Sequence, residues 1–277
     1  MGVQSFVEAE SAAIYRPQKP LEAERALDRL KHYDFPVLNL DLIYGLPGQT
    51  VQSWLYSLER ALRFEPEEIF LYPLYTREHT ILKPGERRPG GKDLRMECYI
   101  AARDRLLAEG YVQSSMRRFA KATAHSGKAV LPYGCQEEGL VGLGCGARSY
   151  TRRVHYATRY AVSRVASERI IREYIDAGTY ETADYGFVLD DREERRRYIL
   201  KAVLHQEGLS LPAYGERFGS SALDDCPELQ VLLKAEWAYL AEETLRLTDD
   251  GFAHSDAIGD GLISPEVRER MEGFVFA

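Results

Sequence analysis

Residues 37–44 alternate between apolar and other side chains, and the rest of the chain is organised around this segment. Every second residue is apolar, and by the two-residue period of a strand these residues form one face: Leu38, Leu40, Leu42 and Tyr44. The opposite face carries Asp41, whose carboxylate is costly to bury without a partner. The segment is therefore predicted to be a core strand and the best candidate for a ligand-binding element, in which Asp41 either caps or pairs with an arginine, or contacts a ligand.

Helical periodicity flanks this strand on both sides. Apolar residues spaced three or four apart predict helices over residues 21–33 and 51–62, and short apolar runs predict strands over residues 3–6 and 68–74. The order β-α-β-α-β predicts parallel strands with right-handed crossovers. Three such strands are too few for a closed barrel, and the chain opens on a strand, so we expect the first half of a larger protein to be missing.

The middle of the chain mixes regular elements with loops. Turn-forming residues predict a loop over residues 76–92, followed by a helix over 93–109, a strand over 111–117 and a loop over 120–130. Glycines alternate in the apolar run at residues 140–149, a composition that lets the backbone approach a ligand or another strand closely.

From about residue 190 the pattern becomes that of a small helical module. Apolar periodicity predicts helices over residues 192–206, 211–218 and 227–241, followed by a hairpin over 245–251 that turns at the Asp-Gly pair 250–251. Three helices followed by a short hairpin describe a winged-helix-like module. The basic run 195–197 is predicted to be a solvated helix face.

Composition narrows the function classes. The 277 residues are 45% hydrophobic with a net charge of −7, which favours two modules and disfavours nucleic acid as a partner. No apolar run has the length of a membrane span and no signal peptide opens the chain, so we expect a cytoplasmic protein with no membrane partner. The cysteines are scattered and form no CxxC or CxxxCxxC spacing, which predicts free thiols: Cys98, Cys135, Cys145 and Cys226.

Several motifs occur in one characteristic order. They are GVQSF at residues 2–6, NLDLIYGLPGQT at 39–50, LYPLY at 71–75, GLGCGARS at 142–149 and LRLTDDG at 245–251. In this order they resemble the oxygen-independent coproporphyrinogen III oxidase-like radical SAM proteins, and the resemblance covers almost the whole chain.

The resemblance implies an α/β fold. Its parts would be the C-terminal half of a (β/α)6 partial TIM barrel and an α+β, winged-helix-like C-terminal domain. The implied domains are a partial radical SAM barrel at residues 1–85, a connecting region with a glycine-rich strand at 86–185, and the winged-helix domain at 186–277.

The resemblance also implies a cofactor site. Gln4 matches a glutamine that contacts S-adenosylmethionine, Arg16 matches an arginine that binds its carboxylate through a bidentate fork, and Asp41 matches an aspartate that contacts its sugar. Pro73 and Arg148 match positions that line the cofactor or substrate cavity. The CxxxCxxC motif that holds the family's [4Fe-4S] cluster is absent from this chain.

The function implied for the parent protein is hydrogen abstraction by a 5′-deoxyadenosyl radical, with flavodoxin or ferredoxin as electron donor. We expect this chain by itself to be inactive. Two departures make a porphyrin substrate less certain: Tyr133 is followed by Gly-Cys-Gln where Tyr-Trp is frequent, and residues 15–18 read YRPQ where Gly-Arg-x-His is usual. The alternative is a haem-binding, chaperone-like protein of the same family, and a weaker one is a DNA-binding winged helix.

Overall fold

A computed structural model describes residues 1–33, 35–76, 93–122, 139–159, 161, 163–183 and 185–274. The helices are α1 (Glu8–Ala13), α2 (Pro20–His32), α3 (Val51–Leu62), α4 (Arg95–Ala108), α5 (Arg164–Ile175), α6 (Asp191–Val203), α7 (Leu211–Phe218), α8 (Ala222–Asp225), α9 (Glu228–Lys234), α10 (Asp249–Ala253), α11 (Ser255–Gly261) and α12 (Pro265–Glu272). The strands are β1 (Gly2–Gln4), β2 (Asn39–Tyr44), β3 (Glu68–Pro73), β4 (Tyr111–Gln113), β5 (Arg118–Lys121), β6 (Arg148–Tyr150), β7 (Val154–Ala157), β8 (Gly186–Val188), β9 (Leu209–Ser210), β10 (Ala238–Ala241) and β11 (Thr244–Leu247).

The chain divides into two compact units. The first unit contains Met1–Ala129, Leu204–Glu207 and Leu247–Ser255. The second contains Val130–Val203, Gly208–Arg246 and Asp256–Ala277. None of the helices in the described ranges is long and apolar enough to cross a bilayer.

The first unit is built on a mixed five-stranded sheet in the order β1-β2-β3-β5-β4. Strands β1, β2 and β3 run parallel, which confirms the arrangement predicted from the alternation of strands and helices. Strands β3, β5 and β4 pair antiparallel.

A turn interrupts the strand predicted over residues 111–117. Strand β4 ends at Gln113, and the Ser114 amide donates to the Arg118 carbonyl at 2.9 Å, closing a hairpin with β5. The Ser115 hydroxyl accepts from the Arg118 amide at 3.2 Å. The prediction of one longer strand was wrong because Ser114 and Ser115 favour a turn. Serine side chains that hydrogen-bond to nearby backbone groups stabilise turns.

One face of this sheet packs against helices α2, α3 and α4. The shared core contains the largest fully buried side chains of the unit: Leu27, Leu40, Leu42, Tyr44, Trp54, Leu58, Ile69, Leu71, Tyr99, Leu106 and Phe119. The Trp54 indole donates to the Cys98 carbonyl at 2.9 Å, which joins α3 to α4 without leaving the indole nitrogen unpaired. Thr50 caps α3 through a reciprocal bond with Ser53.

The second unit contains two three-stranded sheets, β10-β11-β9 and β6-β7-β8. Helix α9 ends at Lys234 and is followed by β10, so the helix predicted over residues 227–241 is too long. The predicted hairpin turn is also misplaced. Glu242 and Glu243, with φ of 49° and 57°, make the turn between β10 and β11.

The Asp250-Gly251 pair lies in helix α10 instead of a turn. The Thr248 hydroxyl accepts from the Gly251 amide at 3.1 Å and so caps that helix. A helix N-cap therefore outweighs the turn preference of an Asp-Gly pair at this position.

The basic run on α6 is only partly solvated. Arg196 is 6% exposed, and its guanidinium donates to the Glu228 carboxylate at 2.7 Å and to the Leu262 carbonyl at 3.1 Å. The prediction of a solvated face was wrong for this residue because an arginine can be buried when its donors find acceptors.

Candidate functional site

The face of the first unit's sheet that does not meet the helices carries the candidate site. Along β2, Asn39, Asp41 and Ile43 are half-buried, whereas the alternate residues are fully buried, as predicted. In the parallel register Asp41 pairs with Phe70 and Ile43 pairs with Tyr72, so these side chains share that face. The Phe70 and Tyr72 rings stack with centroids 6.0 Å apart and an interplanar angle of 16°.

An unusual backbone conformation turns Gln4 toward this face. Gln4 has φ of 67°, and the Ser5 amide donates to the Val3 carbonyl at 2.8 Å, which closes a three-residue γ-turn. The pairing register of β1 with β2 shifts at the same point. A positive φ at a residue with a β-carbon costs of order 1–3 kcal/mol, so the rest of the structure must hold it in place.

The ends of two polar side chains meet over Gly2. A β-carbon placed on Gly2 would lie 2.8 Å from the Gln4 amide nitrogen and 4.0 Å from an Asp41 carboxylate oxygen. Only a glycine leaves this space to the amide and the carboxylate. Together they present donors and an acceptor on an otherwise largely apolar face.

Within the described ranges no ion pair joins Asp41 to an arginine. Burial raises the pKa of its carboxyl above the ordinary value, and the Met1 ammonium lowers it by a smaller amount. A half-buried carboxylate that lacks a strong partner is typical of a group that binds a ligand.

The other candidate residues lie on other segments of the chain. Arg16 is exposed after α1, where Tyr15 adopts φ of 57°, and no hydrogen bond of the described chain joins it to Gln4 or Asp41. Pro73 pairs in register with Tyr44, so it lies on the helix-covered side at the carboxyl end of β3. Arg148 is exposed on β6, in the second unit.

A buried carboxyl beside the site was missed by the sequence analysis. Glu10 is 4% exposed, and its carboxyl accepts from Ser5 Oγ at 2.7 Å, from Gln49 Nε2 at 2.9 Å and from Ser53 Oγ at 2.5 Å. The Gln49 oxygen in turn accepts from the Gly45 amide at 2.7 Å. The segment after Gln4 and the turn after β2 are thus connected through one side chain.

The stacked pair Phe70 and Tyr72 was also missed, although a signal was present. Phe70 and Tyr72 alternate with the buried residues of their strand, as Asp41 does in the adjacent strand. The two-residue period of a strand places such residues on one face of the sheet. Glu10 gave no such signal, because two of its partners, Gln49 and Ser53, are far away along the chain.

The glycine-rich run adopts turns in the second unit. A β-carbon on Gly142 would lie 2.6 Å from the Arg148 carbonyl oxygen, and the Gly142 amide donates to the Ser149 hydroxyl at 3.0 Å. Cys145 is half-exposed, and its sulfur lies 4.0 Å from the Thr158 hydroxyl.

Two further groups have perturbed pKa values. Burial, reinforced by Arg197 and Lys201, lowers the pKa of His155, whose ring meets Tyr150 edge-on at 4.8 Å. Burial raises the pKa of the Cys98 thiol to about 11, which makes it unreactive. The cysteines within the described ranges are free, as predicted.

Within the same ranges, no three His, Cys, Asp or Glu residues are grouped so that they could hold a metal ion. The departure at Tyr133 lies outside the described residues, as do most residues of the predicted loops over 76–92 and 120–130. The second of these loops was predicted to begin too early, because strand β5 extends to Lys121.

Comparison with known proteins identifies relatives, although no protein-family model matches the chain. It is 24% identical over 257 residues to the haem chaperone HemW of Lactococcus lactis, an alignment that covers 91% of this chain and 65% of that protein. The HemW of Bacillus subtilis is 25% identical over 261 residues, covering 90% of this chain and 65% of the relative. The oxygen-independent coproporphyrinogen III oxidase of Cereibacter sphaeroides is 27% identical over 231 residues, covering 79% of this chain and 50% of the relative. The chain thus spans about two thirds or less of these curated relatives.

A solved structure shares the fold. The coproporphyrinogen III oxidase HemN of Escherichia coli, described as a radical SAM enzyme, matches with a TM-score of 0.75 and 19% identity over 95% of this chain and 63% of that one. The chain is therefore homologous to proteins named haem chaperone HemW and oxygen-independent coproporphyrinogen III oxidase, and it has an α/β fold similar to that of HemN.

Proposed function

We propose that this chain supplies part of an S-adenosylmethionine site in a radical SAM protein that resembles HemN and HemW. The observation that supports the proposal best is that the Gln4 and Asp41 side chains both lie close to Gly2, on the half-buried face of the parallel strands of the sheet. Ligands of α/β folds commonly bind near the carboxyl ends of parallel strands, and β1 ends at Gln4.

The residues present fit the cofactor's chemistry. The Asp41 carboxylate can accept from both hydroxyls of a ribose, and the Gln4 amide can donate and accept beside it. The stacked Phe70 and Tyr72 offer an apolar surface on the same face. Arg16, exposed and charged, would bind the cofactor's carboxylate, and Pro73 and Arg148 remain proposed members of the site.

The [4Fe-4S] cluster does not fit this chain. The sequence has no CxxxCxxC motif, and the described residues contain no group of side chains suited to a metal. When bound beside a reduced cluster, S-adenosylmethionine supplies an organic radical that abstracts hydrogen. We therefore propose that this chain alone does not catalyse that reaction, and that flavodoxin or ferredoxin would reduce the parent protein.

The finer fold description is part of the same proposal. Residues 1–85 would form the end of a partial barrel, residues 86–185 the connecting region, and residues 186–277 a winged-helix-like domain. The parallel strands β1, β2 and β3 support the first, and the succession of α6, α7 and α9 with the β10–β11 hairpin supports the last.

Equilibrium dialysis with radiolabelled S-adenosylmethionine tests the proposed site on the full chain. We expect Asp41→Asn to lower the affinity by about 10- to 100-fold, because a hydrogen bond to a charged group contributes about 1.5–3 kcal/mol. Gln4→Ala should lower it by a smaller factor. Asp28→Asn, an exposed carboxylate on α2, is the matched control and should change nothing.

Two results would contradict the proposal. Wild-type chain that fails to bind S-adenosylmethionine removes its basis, and equal affinity in wild type and Asp41→Asn places the ligand elsewhere. Iron analysis after anaerobic reconstitution checks the separate statement on activity. A bound cluster with S-adenosylmethionine cleavage in this chain would show that statement to be wrong.

Haem binding is a second candidate function. It is favoured by the relatives named haem chaperone, whose alignments cover 90% and 91% of this chain. A haem titration followed at the Soret band tests it, with coproporphyrin as competitor to separate a carrier from a porphyrin-binding enzyme. A spectrum identical to that of free haem would exclude this candidate.

A further inference from the structure

Glu10 joins three segments that border the candidate site. Ser5 directly follows Gln4, Gln49 lies in the turn after β2, and Ser53 lies in the first turn of α3. All three donate to the same carboxyl group. Among the described residues no lysine or arginine pairs with Glu10, so the group is held by neutral, directional donors.

The first of these contacts holds the backbone after Gln4. The Ser5 hydroxyl accepts from the Val7 amide at 2.9 Å and lies 3.2 Å from the Ser57 hydroxyl, which itself accepts from the Phe6 amide at 3.1 Å. Rotation about the backbone next to Gln4 would break these bonds together. They therefore stabilise the positive φ that turns the Gln4 amide toward Asp41.

The second contact holds the end of β2. Gln49 donates to Glu10 through its nitrogen, and its oxygen accepts from the Gly45 amide at 2.7 Å and the Leu46 amide at 3.3 Å. This turn follows the strand that carries Asp41. One carboxyl group is thus bonded to both segments that contribute side chains to the site.

We propose that Glu10 is a positioning residue that sets the separation of Gln4 and Asp41 and thereby the affinity of the site. The inference rests on the proposed function, because the ligand is the one proposed there. No hydrogen bond of Glu10 in the described chain reaches the side chain of Gln4 or Asp41, so its effect acts through Ser5 and Gln49.

The test is S-adenosylmethionine affinity of Glu10→Gln, measured by equilibrium dialysis on the full chain. The new amide keeps the size of the side chain but has one acceptor oxygen in place of two, so it cannot accept from Gln49 at one end and from Ser53 at the other. We expect the affinity to fall about tenfold, with circular dichroism showing a folded protein.

A second variant provides the rescue. Exchanging the two side chains in E10Q/Q49E again pairs one donor with one acceptor and leaves carboxylate oxygens for the Gly45 and Leu46 amides. We expect its affinity to return to within about threefold of the wild type, a recovery that a general loss of stability would not give.

Glu194→Gln is the matched control, because it also replaces a buried carboxyl by an amide, in the second unit. Its affinity should equal that of the wild type. If the wild type binds and Glu10→Gln binds equally well, or if the double variant fails to recover, the positioning role is wrong. If the wild type itself does not bind, the proposed function fails and the positioning role fails with it.

Discussion

Glu10 in the first unit and Glu194 in the second are buried glutamates that are satisfied in opposite ways. Glu10 is 4% exposed, and its hydrogen bonds within the described ranges come from hydroxyl and amide donors. Glu194 in the second is 6% exposed and lies among Arg152 at 2.5 Å, Arg217 at 3.6 Å and Arg153 at 3.7 Å.

The difference distinguishes two uses of a buried charge. The strength of a short hydrogen bond from a neutral donor depends strongly on its angle. Such bonds therefore fix the position of the segments that carry the donors. Arg152 and Arg153 are 60% and 52% exposed, and their long side chains can move without losing the attraction. The neutral hydrogen bonds of Glu10 therefore suit a site that needs defined geometry. The ion pairs of Glu194 hold neighbouring elements together without fixing their geometry.

Removing each carboxyl gives the largest expected effects. Glu10→Ala should destabilise the first unit by about 3 kcal/mol, because it leaves several buried donors unpaired. Glu194→Ala should cost about 1–2 kcal/mol, since water can solvate the exposed arginines. Urea unfolding can follow each unit separately: Trp54 reports on the first in a Trp237→Phe background, and Trp237 on the second in a Trp54→Phe background.

The salt dependence of the two substitutions tests the difference between the two glutamates. Raising the ionic strength to about 0.5 M should reduce the penalty of Glu194→Ala and leave that of Glu10→Ala unchanged, because screening weakens exposed ion pairs more than buried neutral bonds. Equal salt dependence of the two penalties would contradict the proposed difference.

Two glycines provide the next test. Gly142→Ala should lower the free energy of unfolding by about 2 kcal/mol, since its β-carbon would meet the Arg148 backbone at 2.6 Å.

Gly2→Ala should lower the free energy of unfolding by less than about 1 kcal/mol, because its β-carbon meets the movable end of the Gln4 side chain. It should nevertheless weaken S-adenosylmethionine binding. Urea unfolding and dialysis measure the two outcomes, and a fully retained affinity in Gly2→Ala would contradict the site.

The turn between β10 and β11 should allow stabilisation. Both Glu242 and Glu243 have positive φ, a conformation that Asn-Gly adopts at lower cost. The double variant E242N/E243G should gain about 1 kcal/mol in the second unit and leave ligand affinity unchanged. The Trp237 unfolding curve checks this, and a loss of stability would mean that the turn differs from the one described.

The smallest expected effect is the pH dependence of Asp41. Because burial raises its pKa in the folded state, its contribution is fully present below the ordinary value of 3.8 and is lost as the pH rises through the raised value. Asp41→Asn should therefore be more stable than the wild type at pH 7, by less than about 1 kcal/mol. The difference should vanish near pH 3.5, and a wild type that is the more stable at pH 7 would contradict the assignment.

Local patterns predicted the first unit well. The alternation of apolar residues identified β2 and the face that carries Asp41, and helical periodicity predicted both ends of α3. These features depend on residues that are close together in the sequence. The conformation at Gln4 and the partners of Glu10 depend on contacts between distant segments, which no local pattern specifies.

The errors in the C-terminal part of the chain have the same origin. Asp250-Gly251 has the composition of a turn, yet Thr248 caps a helix there. Arg196 has the composition of a surface residue, yet Glu228 and the Leu262 carbonyl stabilise it inside the second unit. In both cases a specific acceptor decides between two structures that the composition leaves open.

The γ-turn at Gln4 has a consequence for protein engineering. Glycine at this position would relieve the backbone cost, so a procedure that optimises stability alone would replace Gln4. Such a procedure would erase the amide that faces Asp41 while improving the fold. In a library selected for thermostability, substitutions that raise stability but lower ligand affinity should therefore be found on the binding face of this chain.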